Sequence, residues 1–155
     1  MVTVNFILNG KPVSAEADGL TLLKYLRGVA CLKGAKEGCS TGHCGACTVL
    51  LDGKPVRSCV TRMDKLAGKS VVTIEALHGA DGGLHPIQQA FLDIGAVQCG
   101  FCTPGMVLAT KALLDVNPDP TDEEICEALK NNYCRCTGYV KIIEAVHLAA
   151  ARLRG

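Results

Sequence analysis

The chain has no tryptophan, only three tyrosines and three phenylalanines, and no excess of either charge: 16 lysines and arginines stand against 15 acidic residues among 155. Near-zero net charge, with no basic run interleaved with aromatics, excludes a nucleic-acid binder, which needs a positive surface and stacking platforms. No apolar run approaches the roughly 18 residues that a membrane span requires, so direct membrane insertion is not expected. The opening Met1-Val2-Thr3-Val4-Asn5-Phe6 lacks both the basic start and the apolar stretch of a secretory signal, which makes the cytoplasm the expected compartment. Neither half of the chain repeats the other.

Cysteine, by contrast, is abundant, at ten residues. In a secreted chain this would suggest a disulfide scaffold. Three features argue against one: the missing export signal, the tight clustering, and enough apolar residues to build a core without staples. Cys134 and Cys136 are separated by one residue, a poor span for a disulfide but adequate for two ligands of one metal. A chain of this length buries roughly two-thirds of its unfolded surface and can form one domain or two small ones.

The hydrophobic pattern changes period near the middle. Val2, Val4, Phe6 and Leu8 alternate, Asn9-Gly10 follows as a tight-turn signal, and Val13 to Ala17 returns, as in a β-hairpin. Thr21 to Leu26 has the apolar spacing of a short helix. Strands are predicted at Thr48 to Leu51 and Val56 to Val60, joined by Asp52-Gly53, and at Val71 to Ile74. Beyond Leu77 to Gly83, where Gly79, Gly82 and Gly83 mark a link, helical spacing takes over. Helices are predicted at Pro86 to Ile94, Pro104 to Leu114, Glu123 to Leu129 and Ile142 to Leu153. Thr103-Pro104 reads as an N-cap and first helical position, and Thr121 with Glu124 as a capping box. The expected class is therefore α+β, with a small mixed sheet crossed by one helix over residues 1–77 and four helices over 78–155.

The strongest local signal is Cys39-Ser-Thr-Gly-His-Cys44-Gly-Ala-Cys47, with Cys59 arriving later from another strand. Gaps of four and then two residues are the plant-type ferredoxin spacing. Each iron of a two-iron cluster needs two thiolates, so a loop wraps one side while a separate strand closes the other. Gly38, Gly42 and Gly45 keep bulk away and let backbone amides point at sulfur. A zinc site is the alternative, but zinc knuckles show two short pairs rather than one glycine-lined loop. His43 lies between ligands that already number four, so it is expected to be a loop residue.

A second set comprises Cys99-Gly-Phe-Cys102 before one helix and Cys134-Arg-Cys136 before another. If antiparallel helices bring the two pairs together, four thiolates stand at helix N-termini, where the dipole favours negative charge. By itself this set also suits a dithiol redox site or zinc. Cys31 and Cys126 fall outside both sets and are expected to be buried, acting as small hydrophobes.

Glu37 to Thr48, Val97 to Gly105 and Asn132 to Tyr139 together resemble the small [2Fe–2S] subunit of the xanthine oxidase family of molybdenum hydroxylases, in order and spacing and over nearly the whole chain. The resemblance implies a ferredoxin-like β-grasp domain followed by a four-helix domain. It assigns one [2Fe–2S] cluster to Cys39, Cys44, Cys47 and Cys59 and a second to Cys99, Cys102, Cys134 and Cys136. It further implies that Gln98 and Cys136 face the pterin of a molybdenum cofactor held by a large catalytic subunit. The plant-type cluster would then lie toward FAD in a medium subunit. Electrons released on hydroxylation of an N-heterocycle, aldehyde or similar substrate would pass through both clusters, while the chain itself offers no nucleophile–base set. Lys24 departs from the acidic residue often found there and is expected to face solvent. A free-standing ferredoxin carrier is the alternative; it leaves the helical half and Gln98 without a purpose.

Overall fold

The computed structural model describes residues 3–17 and 19–155; Val2, the first member of the predicted alternation, lies outside them. β1 (Thr3–Leu8) and β2 (Lys11–Glu16) form an antiparallel hairpin, with Val4, Phe6 and Leu8 turned inward. α1 (Leu22–Gly28) follows, capped by the Thr21 hydroxyl, which accepts from the Lys24 N–H. Lys24 itself is exposed, as its position between buried Leu23 and Tyr25 requires. β3 (Thr48–Leu51), β4 (Lys54–Arg57) and β5 (Ser70–Val72) complete a five-stranded sheet of order β2-β1-β5-β3-β4. β1 and β5 pair in parallel and every other pair is antiparallel. The second hairpin is tighter than its hydrophobic residues suggest. β4 begins at Lys54 and ends before Ser58, because Asp52 and Gly53 both take positive φ and turn the chain at once.

Leu22 and Leu26 of α1 are fully buried against Met63, Leu66 and Val71. Burying a leucine contributes roughly 1.5–3 kcal/mol, so the helix is held by its inner face; in isolation seven residues would not stay helical. Phe6 and Tyr25 meet edge to face at 5.8 Å.

A second core gathers the helices α2 (Pro86–Asp93), α3 (Thr103–Val116), α4 (Asp122–Leu129) and α5 (Val140–Arg154) around Ile87, Phe91, Met106, Ile125 and Ile142. α5 packs chiefly on α2, whereas α3 packs on α4 and also on strand β3, so the helical half leans on the sheet. The capping box of Thr121 and Glu124 forms as predicted. Thr103 does not cap α3; Cys102 is the N-cap and Thr103 is already helical. Among the described residues no helix is long and apolar enough to cross a membrane.

The cap of α2 is a histidine. His85 Nδ1 accepts from the Ile87 N–H at 3.3 Å, while Gln88 Oε1 accepts from the His85 N–H at 2.9 Å. Only a neutral imidazole can accept. Burial, aided by the Lys111 and His78 charges and opposed by Asp115, holds His85 below the ordinary histidine range. A depressed folded value means that the contribution is complete above about pH 6.5, the unfolded value, and is lost as pH falls through the folded one. Protection of the Ile87 amide against hydrogen exchange should therefore decline on acidification. His85→Ala should cost about 1 kcal/mol at neutral pH and abolish that decline; a pH response unchanged in the variant would refute the assignment.

Candidate iron–sulfur centres

Eight cysteines converge as two groups of four. The first group lies at the edge of the sheet. Cys39 and Cys44 are in the loop ahead of β3, Cys47 immediately precedes that strand, and Cys59 follows β4. Within the group the thiols are paired. The Cys44 thiol contacts the Cys39 thiol, and the Cys59 thiol contacts that of Cys47. The second group sits where the chain enters α3 and approaches α5. Cys136 Sγ is 3.6 Å from Cys99 Sγ, and Cys102 contacts Cys134.

Electrostatics distinguish the members. The Cys39 thiol is brought down to about 5 by N–H donation from Cys44 and by the Thr41 hydroxyl, with the Thr41 and His43 amides adding to them. Burial pushes Cys59 up to about 11, and the neighbouring Cys47 thiol adds to it. Cys102 rises to about 12 for the same two reasons, burial and then its partner Cys134. Burial also opposes ionisation of Cys134, but Thr137 prevails, its hydroxyl lying 3.1 Å from Cys134 Sγ, and carries the thiol below its ordinary value. Four thiolates gathered in one place repel one another, so the full set ionises only against a compensating cation, and metal uptake must release protons.

The donor arrangement fits a two-iron cluster. Within each group the thiols meet in pairs, and two per iron is the demand of a [2Fe–2S] core. The Thr41 and Cys44 amides point at Cys39 Sγ, each at 3.4 Å, and such bonds to sulfur raise a cluster's reduction potential. A Cβ on Gly38 would stand 2.8 Å from Cys44 Sγ, so only glycine leaves that sulfur its space. His43 is exposed and its Nδ1 meets the Thr41 hydroxyl at 3.0 Å, in keeping with a loop residue.

Gln98 is exposed, as are its chain neighbour Cys99 and Cys136. Two expectations fail. Cys31 and Cys126 are both exposed, not buried. Cys31 takes a positive φ of 56° in the turn after α1, which throws its side chain outward, and Cys126 falls on the solvent side of α4 while Ile125 and Leu129 face the core.

Sequence reasoning left other residues without a role. The Tyr139 hydroxyl accepts the Cys134 N–H at 2.8 Å, and Tyr139 holds a left-handed backbone to reach it. Asn132 is buried between the two thiol groups, and the neighbouring Tyr133 N–H donates to the Cys44 carbonyl at 2.9 Å. In the sequence they belong to the Asn132 to Tyr139 segment that carries the resemblance, but nothing in residue type assigned them these bonds.

Comparison with known proteins agrees with this geometry. Residues 6–72 match the 2Fe-2S iron-sulfur cluster binding domain family and residues 73–147 the [2Fe-2S] binding domain family. The chain is 49% identical to the nicotinate dehydrogenase small FeS subunit of Eubacterium barkeri, over 97% of this chain and 96% of that one. A chain of quinoline 2-oxidoreductase from Pseudomonas putida superposes with a TM-score of 0.90 at 40% identity, covering 99% of this chain and 97% of its own. Aldehyde oxidoreductase from Desulfovibrio desulfuricans superposes at 0.95 with 44% identity over all of this chain but only 17% of that longer one. The unit thus occurs both as a separate subunit and within a larger polypeptide. With two cluster-binding families in tandem and such relatives along its whole length, the chain belongs to the xanthine oxidase family of molybdenum hydroxylases, as a small [2Fe–2S] electron-transfer subunit.

Proposed function

We propose that Cys39, Cys44, Cys47 and Cys59 hold one cluster and Cys99, Cys102, Cys134 and Cys136 the other, in domains that divide at residues 77 and 78. When bound, each cluster stores one electron at a time, so the pair splits a two-electron oxidation of substrate into single transfers. Gln98 and Cys136 face the pterin of the large subunit, and the plant-type group faces FAD in a medium subunit. The substrate, an N-heterocycle, an aldehyde or a similar molecule, binds to the large subunit.

The chain's own residues supply ligation, burial and hydrogen bonds to sulfur. Pairing of thiols within each group is the observation that carries this reading, since two thiolates per iron is what a [2Fe–2S] core needs. Exposure of Gln98, Cys99 and Cys136 supports a partner on that side. All ten cysteines are free of disulfides, which suits the reducing cytoplasm, where we place the complex. A free-standing carrier would need only the first group.

The assembled complex tests both parts together. It should contain about four iron and four acid-labile sulfide atoms per copy of this chain, two of each per cluster; zinc in their place, with no labile sulfide, would end the reading. Gln98→Ala should keep that iron but slow cluster reduction by substrate, through loss of a hydrogen bond contributing roughly 0.5–1.5 kcal/mol. Unchanged reduction rates and cofactor retention would reject the role of Gln98.

A further inference from the structure

Three segments carrying the proposed ligands meet at one buried amide. Asn132 Nδ2 donates to the Gly45 carbonyl and to Thr48 Oγ1, each at 3.1 Å, and Thr48 Oγ1 donates to the same carbonyl at 2.7 Å. Gly45 lies between Cys44 and Cys47, and Asn132 stands two residues before Cys134. The start of α3, just after Cys102, closes the third side: a Cβ on Gly105 would come within 2.5 Å of the Gly45 carbonyl and 3.1 Å of Asn132 Nδ2. An asparagine this buried is kept only where its polar atoms are satisfied, and here the partners belong to the other thiol group's loop.

One consequence concerns the neighbouring bond. The Tyr133 N–H donates to the Cys44 carbonyl at 2.9 Å. Cys44 is a proposed ligand of one cluster, and Tyr133 is joined covalently to Cys134, a proposed ligand of the other. This hydrogen bond is the single non-covalent step in a bonded path from sulfur to sulfur. The Asn132 amide fixes both chains immediately beside it.

We propose that Asn132 is a positioning residue for electron passage between the two clusters, holding the Cys44 carbonyl against the Tyr133 N–H. The inference rests on the ligand assignment proposed above. One electron leaves the helical-half cluster, which is oxidised, and enters the ferredoxin-like one, which is reduced; no bond forms or breaks and no proton need move. The Asn132 amide donates to Gly45 and Thr48, neither of them a proposed ligand, and acts through the path it holds.

The test uses the assembled enzyme, reduced rapidly by substrate and freeze-quenched, with the EPR signal of each cluster followed in time. Both signals in the unaltered complex establish that two clusters are present before any variant is compared, and loss of one signal in Cys47→Ser tests the ligand reading separately. Asn132→Ala should retain iron content and both reduction potentials while the electron reaches the ferredoxin-like cluster several-fold more slowly. Thr48→Val removes one Asn132 acceptor at nearly constant volume and should slow the same step to a smaller degree. Adding it to Asn132→Ala should bring little further loss, since both act on one contact. Asn132→Ala with full iron and an unchanged inter-cluster rate would overturn the proposal. So would a shift in potentials that alone explains the slower rate. Should Asn132→Ala fail to assemble, an unchanged rate in Thr48→Val overturns it equally.

Discussion

Cys47→Ser should remove the ferredoxin-like cluster and leave the helical one in place. Cys47 is almost fully buried at the head of β3 and paired with Cys59. Serine is a poorer ligand at neutral pH and brings a hydroxyl into an apolar corner. Loss of an outer-shell partner typically lowers metal affinity or activity about 10–100-fold, and loss of a ligand should exceed that. Turnover with the final acceptor should therefore fall by more than about two orders of magnitude. The helical cluster should still be reduced by substrate, because two of its cysteines, Cys102 and Cys134, pack on a separate core around Phe91 and Ile142. EPR of the reduced variant should show one signal where the parent shows two. Equal loss of both signals, in protein that circular dichroism finds folded, would contradict independent cluster domains.

Gly45→Ala should produce the largest loss of stability. Gly45 sits at φ +73°, and a Cβ there would stand 2.2 Å from the Asn131 carbonyl oxygen and 2.9 Å from Asn132 Cα and Nδ2. Those atoms are backbone or pinned by hydrogen bonds, so the loop and the helical half must move apart. The left-handed conformation alone costs an alanine roughly 1–2 kcal/mol, and forced overpacking adds about 1–3 kcal/mol. Against a total stability of about 5–15 kcal/mol the sum is large. Gly53→Ala supplies the control: its φ is +79°, yet nothing lies within 4 Å of the added Cβ, so only the conformational part remains. Urea titration of the two variants should separate them by the packing contribution, and Gly45→Ala should also weaken the second cluster through displaced Asn132. Equal midpoints would show that the junction yields more easily than its geometry implies.

Much of this arrangement follows from local chemistry and is therefore visible in the chain itself. Alternation in β1, the Asn9-Gly10 turn, the Thr121–Glu124 capping box and the proline at α2's first turn each depend on residues within a few positions of one another. The spacing of Cys39, Cys44 and Cys47 belongs to the same class, because one loop must span one cluster edge. Where the expectations fail, the reason is also local but depends on geometry that residue types do not specify. Cys31 is turned outward by a left-handed backbone, Cys126 lies one position off the buried stripe of α4, and α3 starts one residue early, with Cys102 at the N-cap position and no side-chain cap.

The sequence by itself set out two groups of cysteines and an α+β order of elements, since cysteine spacing and hydrophobic period are short-range properties, and its resemblance to known subunits pointed to the family. Only the tertiary structure decided how the two halves meet. The Asn132 amide on the Gly45 carbonyl, the Tyr133 N–H on the Cys44 carbonyl and the near-contact of Gly105 with Gly45 each join residues more than 50 positions apart. Contacts of that range arise from packing α3 onto β3, and a buried asparagine or a crowded glycine leaves no periodic trace in the chain.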